Sequence, residues 1–302
     1  MMLALPNPCH FEALRPLRKP AGQDAAYQAT LCAIVGDILH EPAKNARRIA
    51  QRAVYEAQRS YAVWQTLHKA SPAQALALAE TMQLGHLDEI VEYLQQVNRG
   101  VVITTLHAGD YLLALLKLRH RLAADRQIYI LRKKGPSTLE TQVFQHFGSL
   151  THPVNVIRHT DGRALEVVRA LRAGHVVVAL FDLPGTYGQT MEVEFLARAM
   201  QLVSGPATLA TLGQADVLPL VCHASRQHRL GRFLAPIGAA QLHAPKDTTA
   251  QRNRIGQQLC HIGSAHISHY PEQWQHWFHV PQMLLQTSAA ANPDHPQIAT
   301  RG

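Results

Sequence analysis

The feature that most constrains the fold is an alternation of two kinds of segment that begins at Val101. Val101-Val102-Ile103-Thr104-Thr105-Leu106 is a short, β-branched run, and a helix-like segment from Asp110 to Arg121 follows it at once. The pattern then repeats. Gln127 to Leu131, Pro153 to Ile157, His175 to Phe181 and Asp216 to Cys222 are each nearly continuous in apolar residues, with helical stretches in the gaps. Strands that are apolar on both sides are buried on both faces, and their alternation with helices predicts an α/β fold: a mixed, largely parallel central sheet flanked by helices. Two helix boundaries are legible as well. Ser137-Thr138-Leu139-Glu140 has capping-box spacing, and a helix from Asp161 is expected to stop at Gly174, where a left-handed cap is easy.

Upstream of this region, residues 25–99 are rich in Ala, Gln, Glu and Leu at helical spacing, as in Ile49, Ala53, Glu56 and Ser60, without a β-branched run. Three or four helices are expected there, as an N-terminal helical segment ahead of an α/β core at 100–285. Residues 1–24 hold four prolines and read as an irregular lead-in, and residues 286–302 as a disordered tail. With 302 residues and 47% hydrophobic content, one large core is affordable in surface-to-volume terms.

The formal charge of +8 predicts an acidic partner or substrate. The basic residues are scattered, the longest cluster being Arg132-Lys133-Lys134, and aromatics make up only 6%, so nucleic acid is not expected. No stretch approaches the roughly 20 apolar residues that span a bilayer, and the opening residues lack a signal-peptide pattern. The four cysteines form no CxxC pair, which argues against a disulfide framework and against a thiolate zinc site. A cytoplasmic protein with at most peripheral membrane contact is expected. His261, His266, His269, His276 and His279 do not make a His-Glu-x-x-His pattern, so they read as surface or packing histidines and no metal site is expected.

The most informative constellation is strand, Leu106-His107-Ala108-Gly109-Asp110, helix, because ligands of open α/β sheets bind at the carboxyl ends of the strands. An imidazole there can take a proton from a hydroxyl or amine, and Asp110 could orient the ring and stabilise its cation. Small Ala108 and Gly109 leave room for a substrate. The alternative stands beside it: Asp110 caps the helix and His107 is a satisfied histidine. Asp182 ends another apolar strand ahead of a turn-rich loop and reads as a crevice residue or as a loop-organising carboxylate. Arg132 and Lys133 read either as a solvated basic loop or as a contact for an acidic carrier, with Arg132 also a candidate oxyanion donor. Ser204-Gly205-Pro206 reads as a helix entry rather than a nucleophile, since no Gly-x-Ser-x-Gly elbow surrounds it.

An ordered series of motifs from about 45 to 280 resembles the lipid A late acyltransferases of the lysophospholipid-acyltransferase-like superfamily, which carry a His-x4-Asp/Glu motif after a strand. Asn45-Ala46-Arg47 resembles the family's early helical segment, Val102 to Asp110 its catalytic block, and Tyr129-Ile130-Leu131-Arg132 its Tyr-Arg-Pro stretch. Leu171-Arg172-Ala173-Gly174-His175-Val176 through Asp182 resembles its Leu-Lys-x-Gly strand ending in Asp-Gln. Val193-Glu194-Phe195-Leu196 with Ser204 to Ala210 resembles its Phe-Phe-Gly and Gly-Pro-Ala-x-Leu-Ala block, and Tyr270-Pro271-Glu272-Gln273-Trp274 its Pro-Glu-Gln-Trp signature.

The resemblance implies an acyltransferase with His107 as general base and Asp110 as the nearby acid, because the position five residues after the histidine is Leu112. It implies an acyl thioester of acyl carrier protein or coenzyme A as co-substrate, with no resident cofactor. Gly109, Arg132, Lys133, His146 and Asp182 are the expected substrate-binding residues, His146-Phe147-Gly148 standing where the family has an arginine and glycine. No counterpart of the family's membrane helix is recognised, so a small soluble acceptor from specialised metabolism is expected. The rival readings are a non-catalytic carrier-binding scaffold, a hydrolase, and a peripheral membrane lipid acyltransferase.

Overall fold

Nearly every apolar run of the sequence becomes a strand that meets the helices on both sides. The computed structural model describes residues 23–123, 125–132, 139, 141–144, 154–158, 163–225, 227–238 and 248–285. Four helices, α1 (Gln23–Leu39), α2 (Ala43–Lys69), α3 (Pro72–Glu80) and α4 (Leu87–Gln96), precede β2 (Val101–Thr105), with a short strand β1 (Met82–Gly85) between the last two. Then follow α5 (Tyr111–Arg121), β3 (Ile128–Arg132), β4 (Val154–Arg158), α6 (Ala164–Arg172) and β5 (Val176–Val178). The hairpin β6 (Thr190–Phe195) and β7 (Arg198–Val203), helix α7 (Gly205–Gly213), strands β8 (Asp216–Ala224) and β9 (Arg229–Phe233), and helix α8 (Thr248–His269) complete the main elements.

The central sheet has the order β1-β9-β8-β2-β5-β3-β4. All its pairings are parallel except β8 with β9, which is antiparallel, so the predicted mixed, largely parallel sheet is what forms. Side chains alternate across β2: Val102 joins the apolar layer under α1, α7 and α8, while Val101 and Ile103 join the layer under α3, α4 and α5. Helix α2 spans about 40 Å at the usual rise per residue. It feeds Ile49 and Ala53 into the first layer and Trp64 and Leu67 into the second, so the N-terminal helices share the core of the sheet.

The hairpin lies outside the sheet, and it alternates: Met191, Val193 and Phe195 point inward, while Glu192 and Glu194 stay exposed. Its turn places Leu196 and Ala197 at φ 53° and 55°, the positive φ pair that fits a two-residue hairpin to strand twist. Helix α6 stops where expected, with Gly174 at φ +86°. The expected helix starts at Ser137 and Asp161, residues 1–22 of the lead-in expected at 1–24, and the tail at 286–302 lie outside the described residues, while Gln23 and Asp24 already belong to α1. No helix among the described residues is long and apolar enough to cross a membrane.

Candidate active site

Strands β2 and β5 are parallel neighbours, so the chain leaves both at the same edge of the sheet. His107 sits two residues past the end of β2 and Asp182 four residues past the end of β5. Their juncture is tight. The His107 backbone N–H donates to Asp182 Oδ2 at 2.8 Å, and His107 Nδ1 lies 2.8 Å from Asp182 Oδ1. Asp182 is fully buried, and Trp274 Nε1 also donates to its Oδ2 at 2.8 Å. Burial alone would raise the Asp182 carboxyl, but the His107 charge and hydrogen bonds, with His276 adding to them, outweigh it and hold it well below the usual carboxylate range. An ionised carboxylate can only accept, so Nδ1 of His107 carries a hydrogen, and in the neutral ring Nε2 is then the nitrogen with the lone pair.

The segment resembling a Pro-Glu-Gln-Trp signature acts as a clamp on this arrangement. Gln273 pairs with the backbone of Ala224 at the end of β8, both ways and at 2.9 Å. Trp274 bridges to Ala108, and the Gln275 backbone N–H donates to the His107 carbonyl at 2.9 Å. The same turn brings His276 onto His107: the two rings stack with centroids 3.9 Å apart and planes 22° from parallel. Nδ1 of His276 lies 3.0 Å from the Asp182 carbonyl oxygen, which fixes its hydrogen on Nδ1.

His107 and His276 form part of the wall of a cavity of about 370 Å³, whose apolar lining includes Leu131, Ile157, Val167, Ala179, Leu183 and Leu209. Arg132 contributes a polar group to the same wall, largely buried and with its guanidinium 5.4 Å from the Phe144 ring centroid. Gln275 also lines the cavity, and its Nε2 is buried without a hydrogen-bond partner among the described residues. A cavity with this apolar lining and a set of polar side chains in its wall suits a ligand with an apolar part and a polar head.

Asp110 is placed differently from the sequence expectation. Its carboxylate is 2% exposed and turned away from the imidazole, receiving Arg59 Nη1 at 2.8 and 3.0 Å and Arg229 Nε at 2.9 Å. Arg59 is shared with Glu56 at 2.6 Å, so the carboxylate ties α2 and β9 to the loop after β2. Between His107 and Asp110, Gly109 makes a left-handed turn at φ +59°. A Cβ on Gly109 would sit 2.6 Å from the Cys222 backbone, so this glycine serves close packing against β8 and is not among the residues lining the cavity. Leu112 is buried in the core beneath α5. Ser204 does begin α7 but makes no side-chain cap there; its Oγ donates to the Gln189 carbonyl at 3.1 Å. Lys133 and His146 lie outside the described residues.

His107, Asp182 and His276 are metal-ligand residue types with candidate ligand atoms within 4.8 Å of one another. Hydrogen bonds already account for this closeness: the carboxylate takes the His107 and Trp274 donors, and the His276 Nδ1 faces a carbonyl. His266 is likewise tied to backbone, with Nε2 3.0 Å from the Cys222 carbonyl.

A doubly flanked, largely parallel sheet with a His–carboxylate pair at its carboxyl edge, opening on a cavity, is the α/β class whose ligand sites lie at the carboxyl ends of the strands. Residues 39–282 match the family described as bacterial lipid A biosynthesis acyltransferase, and the chain belongs to that family. It is an acyltransferase. A comparison with curated proteins gives no match.

Proposed function

We propose that the chain moves an acyl group from a thioester of acyl carrier protein or coenzyme A to a hydroxyl or amine of a small soluble acceptor, with His107 as general base and Asp182 as the carboxylate that orients it. The observation that carries this reading is the His107–Asp182 contact of 2.8 Å at the wall of the apolar cavity. The acyl chain lies along Leu131, Ile157 and Leu209, and its thioester carbonyl meets His107. Nε2 takes the acceptor's proton as the nucleophile attacks the carbonyl carbon, and the imidazolium returns it to the departing thiolate. Asp182 holds the ring in one tautomer and stabilises its cation without itself taking the proton.

The oxyanion needs donors that are already in place. Arg132 and the Gln275 amide, both in the cavity wall, supply them in this reading. Lys44, Arg47, Arg48 and Arg52, exposed on α2, favour an acidic donor carrier. Because Asp182 serves the ring, the lack of an acid at Leu112 gives no reason to prefer a non-catalytic scaffold.

Release of free thiol from acyl-coenzyme A and from acyl carrier protein thioesters, with and without an added acceptor, tests the proposal. Acceptor-dependent release supports it. Release indifferent to acceptor points to a hydrolase, and no release from either donor contradicts the transfer reading.

A further inference from the structure

The stacked imidazoles present more than one base requires. In both rings Nδ1 is committed to Asp182, to its carboxylate in His107 and to its backbone carbonyl in His276. In both, Nε2 is the remaining nitrogen, an acceptor with no hydrogen-bond partner among the described residues. Neither Nε2 is among the buried unpartnered atoms, and both residues line the cavity, so each is open to a ligand there. Stacking alone does not call for this: a phenyl ring would stack on His107 equally well and would cost no buried polar nitrogen. Burial, reinforced by the His107 charge, pushes the pKa of His276 down to about 3, so it stays an acceptor while His107 gains and loses its proton.

Two acceptor nitrogens on rings stacked 3.9 Å apart, both in the cavity wall, match a nucleophile that carries two hydrogens. Resting on the acyl-transfer reading above, we infer that the acceptor substrate is a primary amine, with one N–H directed to His107 and the second to His276. The neutral amine nitrogen attacks the thioester carbonyl carbon, forming the C–N bond and placing the carbonyl electron pair on oxygen. The first hydrogen passes to His107 Nε2. The oxyanion then collapses, the C–S bond breaks, and the thiolate leaves with the proton from the imidazolium. The second hydrogen, held by His276 throughout, stays on the amide product. A hydroxyl has one hydrogen, and its use by His107 leaves the His276 acceptor unmatched, which a polar site built for two donors discriminates against.

The test uses purified full-length protein, decanoyl-coenzyme A and 6-aminohexan-1-ol, a probe offering both nucleophiles. Amide and ester products are measured by mass spectrometry after subtraction of the protein-free reaction. The wild type is expected to form mainly amide. His276→Phe keeps a ring on His107 without the acceptor and is expected to lower the amide-to-ester ratio about tenfold, the worth of one hydrogen bond. His276→Gln, which retains an acceptor oxygen, is expected to recover part of the ratio; circular dichroism checks that both variants fold. Equal ratios in the wild type and the Phe variant, a wild type that favours ester, or hydrolysis outrunning both overturn the inference. If the wild type consumes no thioester with the probe or with water, the acyl-transfer reading itself falls and takes this one with it.

Discussion

His107 Nδ1 lies 2.8 Å from Asp182 Oδ1, although 75 residues separate the two in sequence. Adjacent parallel strands bring them together, and the carboxylate is saturated by the His107 backbone N–H and Trp274 Nε1 as well. A carboxylate so enclosed can do little except hold one ring in one orientation.

Asp182→Asn should therefore damage turnover more than binding. Transfer is expected to fall about 10²- to 10⁴-fold, since an amide can leave the imidazole in the wrong tautomer. Loss of the negative charge also removes a stabiliser of the imidazolium that forms as the base takes its proton. Steady-state kcat and KM of the folded variant read the effect, and a kcat equal to wild type would count against the assignment.

Asp110→Asn should damage folding rather than chemistry. It leaves Arg59 and Arg229 without the buried carboxylate they share, and breaking such a pair costs about 3–5 kcal/mol. Urea unfolding reads the loss. Turnover per folded molecule should stay close to wild type, because Asp110 does not contact the His107 ring.

Gly109→Ala tests why the loop turns as it does. The left-handed φ of +59° and a Cβ at 2.6 Å from the Cys222 backbone together predict a loss of roughly 2–4 kcal/mol from strain and overpacking. A melting temperature equal to wild type would show that the loop does not need glycine.

Stability should decline in mild acid. His276 and His266 are held neutral in the folded chain, mainly by burial, with pKa values pushed down to about 3 and about 4. The unfolded chain binds more protons between those values and about 6.5, so stability rises with pH across that window and is lost on acidification. Each histidine contributes up to about 1.4 kcal/mol per pH unit there. Urea midpoints at pH 7 and pH 5 measure the difference, which should shrink when His266 is replaced by Asn.

Local signals were enough for some elements and silent for others. The runs at Val101, Gln127 and Asp216 were legible because strands buried on both faces need continuous apolar residues. Strand β9, Arg229–Phe233, was not, since a strand carrying Arg229 and Arg232 looks like loop. The hairpin β6 and β7 alternates with Glu192 and Glu194 and so presents no continuous apolar run. Strand β1 is four residues inside a helical stretch.

The site followed the same division. His107 and Asp182 could be singled out because each ends an apolar strand, but their partnership is long-range and no spacing encodes it. Asp110 was the nearest carboxylate in sequence, and past the left-handed turn at Gly109 it pairs with Arg59 and Arg229 instead. His276 read as one more packing histidine, and only the clamp formed by Gln273 and Trp274 places its ring on His107.

In the proposed reaction one imidazole, oriented by Asp182 at the cavity wall, removes the acceptor's proton. Thioester turnover by His107→Ala, measured in protein whose melting temperature matches wild type, shows whether it does. A fall of about 10²- to 10⁴-fold is expected. Turnover equal to wild type in the folded variant would contradict it.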